Sequence, residues 1–305
     1  MRLLPLLPFL LALTALILGF LSLFAGSKPD FLESYSILTL NVSRIGQNII
    51  DSGSSSSSSS TIGSFFHNLT GDIVSELEGD INNRAASLAK DLGLQDFYSV
   101  HVMDYCHGFY VPGAVKNATV HDIKRNVTGC SKTKAMFAFD PTQALENSLN
   151  ASGKLGGETA SKVLDSIDWP QDLEKGLRAL RAAFKAQFVL YCIALGLTFL
   201  TMLSCFFWLF SGGRAGACAD ITMGFSAFLF MAIASSIGTA IAVKGSHVIN
   251  KYGNDIGVSA DQGSGFLGLT WAATACLLLA SIVGCAGCFG VHKRRRSLKP
   301  YQGEK

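Results

Sequence analysis

The sequence predicts a mainly α membrane protein: a bundle of four transmembrane helices carrying a small, disulfide-linked outer domain with some β-structure. Three observations carry this prediction. Hydrophobic residues make up 49% of the 305 residues and charged ones only 15%, with a mean hydropathy of +0.35. A soluble globular chain carries about 25% charged residues, so the deficit argues against both a large aqueous surface and a disordered chain. Four apolar runs, at 3–24, 188–210, 217–243 and 266–289, each reach the length of roughly 20 residues that a helix needs to cross hydrocarbon. Finally, the formal charge of +3 divides unevenly, with −3 over residues 25–185 and +6 over the rest. Positive charge therefore lies beside the apolar runs, which points to a membrane rather than to nucleic acid.

The first run, within 1–24, begins Met1-Arg2 and ends before Ala25-Gly26-Ser27, so a cleaved signal peptide competes with a signal anchor. Its apolar length exceeds the roughly 7–15 residues of a signal h-region, which favours an uncleaved anchor. The remaining spans are 188–210, 217–243 and 266–289, with a short cytoplasmic loop at 211–216 and an extracellular loop at 244–265. The tail 290–305 carries Lys293, Arg294, Arg295 and Arg296 and should stay cytoplasmic under the positive-inside rule. An even number of spans then places both termini inside. Five N-x-[ST] sequons, at Asn41, Asn68, Asn117, Asn126 and Asn150, all fall between spans one and two, on the side already assigned to the lumen.

Residues 25–187 form the translocated domain, with a flexible Ser-rich linker at 52–60. The stretch before the linker reads as loosely ordered. After it, Ile73, Leu77, Leu88 and Leu92 lie near helical spacing and predict a short amphipathic helix over 71–92. Residues 97–105 are rich in aromatic and β-branched types and predict a strand, with a partner strand within 123–139. Leu173, Leu177, Leu180 and Phe184 predict a helix over 171–187 that runs straight into the second span, with Pro170 at its first turn.

Of eight cysteines only Cys106 and Cys130 lie in the outer domain, and an oxidising lumen makes their disulfide the natural reading. The other six lie in spans as small packing residues, although Cys285 and Cys288, close to the basic tail, are also candidates for S-acylation.

Candidate chemistry is sparse. Residues 263–268 match G-x-G-x-x-G, but no strand is predicted before them and they open a span, so a flexible turn is the reading and no nucleotide cofactor is expected. His101, His107 and His121 could gather with Asp104 around a metal or titrate as a pH sensor. Their spacing fits no standard ligand pattern, and ordinary sheet or surface histidines are the simpler reading. Asp220, the one ionisable group inside the last three runs, lies close to Arg214 and reads as a snorkelled or paired structural acid. The spans otherwise offer almost no polar groups facing one another, which disfavours a transport pathway. They do offer small residues at four-residue spacing: Ala272, Cys276, Ala280, Gly284 and Cys288 in span four, and Ala232, Ser236, Ala240 or Ala234, Gly238, Ala242 in span three. Such rows let helices approach closely in lipid, within the bundle or between copies. No nucleophile with a base, paired-carboxylate site or phosphate loop is recognisable, so no catalytic residue, metal site or enzyme activity is expected.

Several strings together resemble the fungal PalI and cortical-patch (Sur-seven) family of four-span membrane proteins, claudin-like in architecture. They are Asp96-Phe97-Tyr98-Ser99-Val100-His101 leading to Tyr105-Cys106-His107-Gly108, Asn126-Val127-Thr128-Gly129-Cys130, Phe139-Asp140-Pro141 and Asp168-Trp169-Pro170. Lys251-Tyr252-Gly253-Asn254-Asp255-Ile256-Gly257 and Leu269-Thr270-Trp271 complete the set. The resemblance implies a short antiparallel outer sheet carrying the paired Cys106 and Cys130 on the helix bundle. It implies a non-enzymatic plasma-membrane protein of static, eisosome-type cortical patches, linked to cell-wall organisation and endocytosis. The PalI branch implies instead an accessory of ambient-pH sensing. Members of that branch often carry a long tail, and the short segment after Phe289 favours the patch-organising branch. The expected partners are the bilayer, anionic inner-leaflet lipids bound by the basic tail, further copies of the chain, and cortical scaffold proteins or the cell wall.

Overall fold

The computed structural model describes residues 6–29, 31–44, 95–111, 124–140, 143–144, 171–211, 214–253 and 257–296. The linker at 52–60, the amphipathic helix expected over 71–92, His121 and the sequons Asn68, Asn117 and Asn150 lie outside the described residues. Four helices and five strands follow in the order α1 (Leu6–Phe24), β1 (Leu38–Asn41), β2 (Phe97–Val100), β3 (Tyr105–Val111), β4 (Lys124–Cys130), α2 (Gln171–Ser211), α3 (Arg214–Gly253), β5 (Ser259–Gln262) and α4 (Ser264–Arg296). They form two compact units, a helix unit of Met1–Leu23, Gln187–Ser236 and Leu267–Lys305, and a sheet unit of Phe24–Ala186 and Ile237–Phe266.

All four helices are long and apolar enough to cross a membrane, over Leu6–Phe24, Arg178–Phe207, Asp220–Lys251 and Ser264–Ala286. The helix expected over 171–187 and the second span are indeed one element, α2, of 41 residues. α3 runs on to Gly253, so the expected loop at 244–265 is a correction: helix fills its first part. Hydropathy falls after Val243, but nothing in Lys244–Tyr252 stops a helix. The stop comes at Gly253, with Lys251 in the last turn, where a cation favours the carbonyl end of the dipole.

The strands make one antiparallel sheet in the order β4-β3-β2-β1-β5. The strand expected over 97–105 is two strands, because the chain turns at residues 101–104, where His101 N donates to Asp104 O at 2.9 Å. The expected partner within 123–139 is β4. Two strands go beyond the sequence reading. β1 lies in the stretch expected to be loosely ordered, and β5 lies in the expected loop; they pair with each other through Leu38 to Gln262 and Asn41 to Ser259. The glycine run that opens α4 is likewise no flexible turn. Gly263 N donates to Ile37 O at 3.0 Å, and a Cβ on Gly263 would lie 1.5 Å from Ser36 O, so only glycine permits this approach. Every residue of β1 and β2 is buried, whereas β3 alternates buried and half-buried positions, as a strand with one wetter face does. Beneath them Phe97 and Tyr110 pack at 5.2 Å between ring centroids, with Val127 against the pair.

Because β1 follows α1 and β5 precedes α4, their pairing fixes both segments on one side of any membrane the helices cross. An even number of crossings must separate them, and α2 and α3 supply two.

In the helix unit α1 meets α2 and α3 at Gly19, which faces Leu195 and Met231. The unit also corrects the expectation of spans without facing polar groups. The Tyr191 hydroxyl on α2 shares hydrogen bonds with Thr270 on α4, Ser22 on α1 and Ser235 on α3. Ser235 Oγ lies 2.7 Å from Thr270 Oγ1 and 3.0 Å from Thr274 Oγ1. Hydroxyl side chains barely lower the hydropathy of a run, so this seam through all four helices leaves little trace in it. In lipid such interhelical bonds contribute about 1 kcal/mol each and fix register.

The small-residue rows divide by direction. On α3, Ala234, Gly238 and Ala242 are buried while Ser236 and Ala240 of the other row are exposed. On α4 the buried face is Thr270, Ala273, Thr274, Leu277, Ala280 and Ser281. Of the described members of the row expected there, Ala272 is exposed, Cys276 and Gly284 are half-buried, and Ala280 is buried. A helix turns about 100° per residue, so a four-residue step drifts by about 40° and a row of five cannot stay on one face.

Candidate functional site

The residues that carry chemistry gather at the turn between β2 and β3, beside the disulfide. Cys106 and Cys130 stand directly opposite one another on β3 and β4, with Cα atoms 3.9 Å apart, and the bridge joins them as expected. Next to it the turn buries His101 and Asp104, whose side chains are both inaccessible to solvent. His101 Nε2 lies 3.1 Å from Glu33 O. A carbonyl can only accept, so Nε2 carries the proton and donates. His101 Nδ1 is left facing Asp104 Oδ1 at 3.5 Å, and neither atom has another partner among the described residues. A bare ring nitrogen and a carboxylate oxygen repel unless a proton lies between them, so the pair is built to hold one.

Burial drives both groups toward their neutral forms. It lowers the His101 pKa from 6.5 to about 4, opposed by backbone bonding with Glu33 and Ser99. It raises the Asp104 pKa from 3.8 to about 6, while Thr133, which donates to Asp104 Oδ2 at 3.3 Å, pulls it back. His107, on β3, is also lowered by burial. Its ring packs in a triangle with Tyr98 and Tyr105, each pair of centroids 6.2 Å apart.

The pair clamps the segment that follows α1. Gly26, with φ of +80°, lies flat against the His101 ring, where a Cβ would come within 2.3 Å of Nδ1. Glu33 closes the clamp, its carbonyl taking His101 and its carboxylate the hydroxyl of Ser99. A second clamp joins α2 to the segment after β4 through an Arg181–Asp140 ion pair, with the Phe137 and Phe184 rings in edge contact at 6.5 Å.

Donor atoms of His101, Asp104 and Cys106 lie within 4.8 Å of one another, a spacing that suits a metal ion. The disulfide withdraws the Cys106 sulfur, since a thiolate is the ligand form, and leaves one histidine and one aspartate. The His101–Asp104 pairing was only partly legible: the sequence placed both residues in one candidate group, but not the turn that joins them or Glu33.

The remaining candidate residues scatter. Asn126 is exposed on β4, an edge strand, and can carry a glycan. Asn41, at the first sequon, is 2% exposed, and its Oδ1 accepts from Ser43 N at 3.1 Å and Ser43 Oγ at 2.7 Å. Asn126→Gln is therefore expected to shift electrophoretic mobility and Asn41→Gln to leave it unchanged. A shift on losing Asn41 would show that this side chain reaches the glycosylation machinery before β1 forms. Cys285 is half-buried with a free thiol. The side chains of Cys288, Lys293, Arg294, Arg295 and Arg296 lie outside those described, although α4 itself extends to Arg296.

A match to the SUR7/PalI family covers residues 4–283, from the first helix to near the end of the fourth span. The chain belongs to the SUR7/PalI family. The first three spans, most of the fourth, the antiparallel sheet and the bridged cysteines of this SUR7/PalI member thus lie in the matched region, and the expected resemblance holds. No curated protein and no solved structure matches the chain.

Proposed function

We propose that this multi-pass membrane protein is a non-enzymatic organiser of a plasma-membrane domain, of the cortical-patch type, with both termini cytoplasmic. The observation that carries the reading is the division of small residues on α3, where one row packs inward while Ser236 and Ala240 face outward, available to another helix. Lipid gives helices no hydrophobic reason to associate, so close backbone approach is what a lateral contact needs. The polar groups of the sheet unit support the same reading, because His101, Glu33, Arg181 and Asp140 hold segments together. In this reading the basic tail binds anionic inner-leaflet lipid, each Lys or Arg contributing about 1 kcal/mol. Scaffold proteins at the cortex and the cell wall are the proposed partners on either side.

The alternative, an accessory of ambient-pH sensing, finds less support. Burial moves His101 and His107 down, away from the alkaline range such a sensor must read.

Photobleaching of a C-terminally tagged copy at the plasma membrane, at neutral and alkaline pH, tests the reading. The expected result is persistent patches with little recovery at either pH. Diffuse, quickly recovering signal that redistributes with pH would replace the organiser with the sensor accessory. Neutral residues at Lys293, Arg294, Arg295 and Arg296 are expected to lower patch density, and unchanged density would remove the tail from the account.

A further inference from the structure

The helix unit contains a second polar centre, near the other end of the spans from the Tyr191 seam. A cavity of about 20 Å³ lies among all four helices, lined by Ala12 on α1, Thr201 on α2, Asp220 and Gly224 on α3, and Leu277 and Ser281 on α4. That volume accommodates one water-sized guest, for which about 10–15 Å³ suffices.

The polarity of the lining is one-sided. Thr201 Oγ1 donates its proton to Leu197 O at 2.9 Å, and Ser281 Oγ donates to Leu277 O at 2.9 Å. Each hydroxyl has one proton, so both present only lone pairs to any further neighbour. Both oxygens also lie within 4.0 Å of one point, the position a Cβ on Gly224 would take. Asp220 is the third. Its Oδ2 accepts from the Cys205 thiol at 2.9 Å and Ser204 also bonds the carboxylate, whereas Oδ1 is buried with no partner among the described residues. Of the two sequence readings of Asp220, a snorkelled or a paired structural acid, the hydrogen bonds to Cys205 and Ser204 fit the paired one.

Two hydroxyl oxygens and a buried carboxyl group thus line a water-sized space, with every proton of Thr201, Ser281 and Cys205 directed elsewhere. The guest must be a donor or a cation. From this geometry we propose that the cavity is a binding site for a small monovalent cation of sodium size, held by Asp220 Oδ1, Thr201 Oγ1 and Ser281 Oγ. Hard cations take oxygen ligands of this kind. A single positive charge cancels the single carboxylate, whereas a divalent ion would leave net charge in hydrocarbon, where charge is costly. Binding would tie α2, α3 and α4 together through one ion.

Gly224 supplies a variant that tests the site without breaking the fold. A Cβ there would lie 3.4 Å from Thr201 Cγ2 and 3.7 Å from Ser281 Oγ, ordinary contacts, so Gly224→Ala fills the space without a clash. Alanine is also the better helix former. The experiment is thermal unfolding of the full chain in detergent, in sodium chloride and in choline chloride at equal concentration. For the native chain, sodium is expected to raise the midpoint by several degrees, as a ligand selective for the folded state does. Gly224→Ala is expected to unfold at or above the native choline midpoint with no response to sodium, and Asp220→Asn to lose the response as well. Equal midpoints for the native chain in the two salts would overturn the proposal, and so would a sodium response that survives in Gly224→Ala.

Discussion

Replacing either Cys106 or Cys130 with serine is expected to give the same large loss: about 3 kcal/mol of stability in the sheet unit, and retention of the chain in the secretory pathway. The magnitude follows from closing the loop between residues 24 apart, which the chain-entropy account values at about 3 kcal/mol. The position makes the loss hard to absorb. The bridge joins β4, an edge strand, to β3, and Ser131 just beyond it donates backbone N–H to Tyr105 O at 2.8 Å. Without the bridge β4 is held, among the described residues, by its ladder, the Phe97–Tyr110–Val127 contact, the Thr128 hydroxyl bonded to Gln95 and His107 O, and Arg125 over the Phe97 ring. Surface delivery of each single mutant, followed through glycan maturation, is the measurement. If one mutant is delivered normally while the other is retained, the defect comes from a lone thiol rather than from the lost bridge.

The second large effect is expected in two mutants of opposite sign. Asp104 has a folded pKa of about 6 against 3.8 when exposed, so the folded chain binds the extra proton between those values. Its contribution to stability therefore falls as pH rises from about 4 to 6, by about 3 kcal/mol in all. His101 has a folded pKa of about 4 against 6.5 when exposed, so the unfolded chain binds the extra proton over nearly the same window. Its contribution rises with pH by about 3 kcal/mol. In the native chain the two contributions oppose one another from pH 4 to 6. Asp104→Asn leaves His101 alone, and stability should climb with pH; His101→Gln leaves Asp104 alone, and stability should fall. Amide exchange in β2 and β3 of the full chain, measured across this window, reads both. Slopes of the same sign would show that the two side chains do not balance one another.

How much of this was legible in the residues depends on what each element is held by. The spans and the helix over 171–187 were legible because apolar burial in lipid writes itself into composition. The disulfide was legible from the compartment and from the placement of only two cysteines between spans one and two. β1 and β5 were not. Ser259-Ala260-Asp261-Gln262 has no strand propensity, and Leu38-Thr39-Leu40-Asn41 is too short to show a period. β5 takes its ladder hydrogen bonds from β1, and β1 takes its own from β5 and β2, which is tertiary information. The candidate site was half legible for the same reason. His101, Asp104 and Cys106 are close in sequence, but Gly26 and Glu33, which complete the clamp, are some 70 residues away and enter only through the fold.

The place of β5 in the sheet bears on how the chain is made. Synthesis runs from the N-terminus, so β1 to β4 emerge long before residue 259 is translated. Until then β1 has β2 on one side and an unpaired edge on the other, open to any strand that can add to it. That edge closes only when α2 and α3 have been made and β5 has been delivered to the same face of the membrane. A nascent or truncated chain, or one with a span threaded the wrong way, keeps the edge bare. The complete sheet thus forms only in a chain whose spans have all been made and threaded so that β1 and β5 lie on the same side.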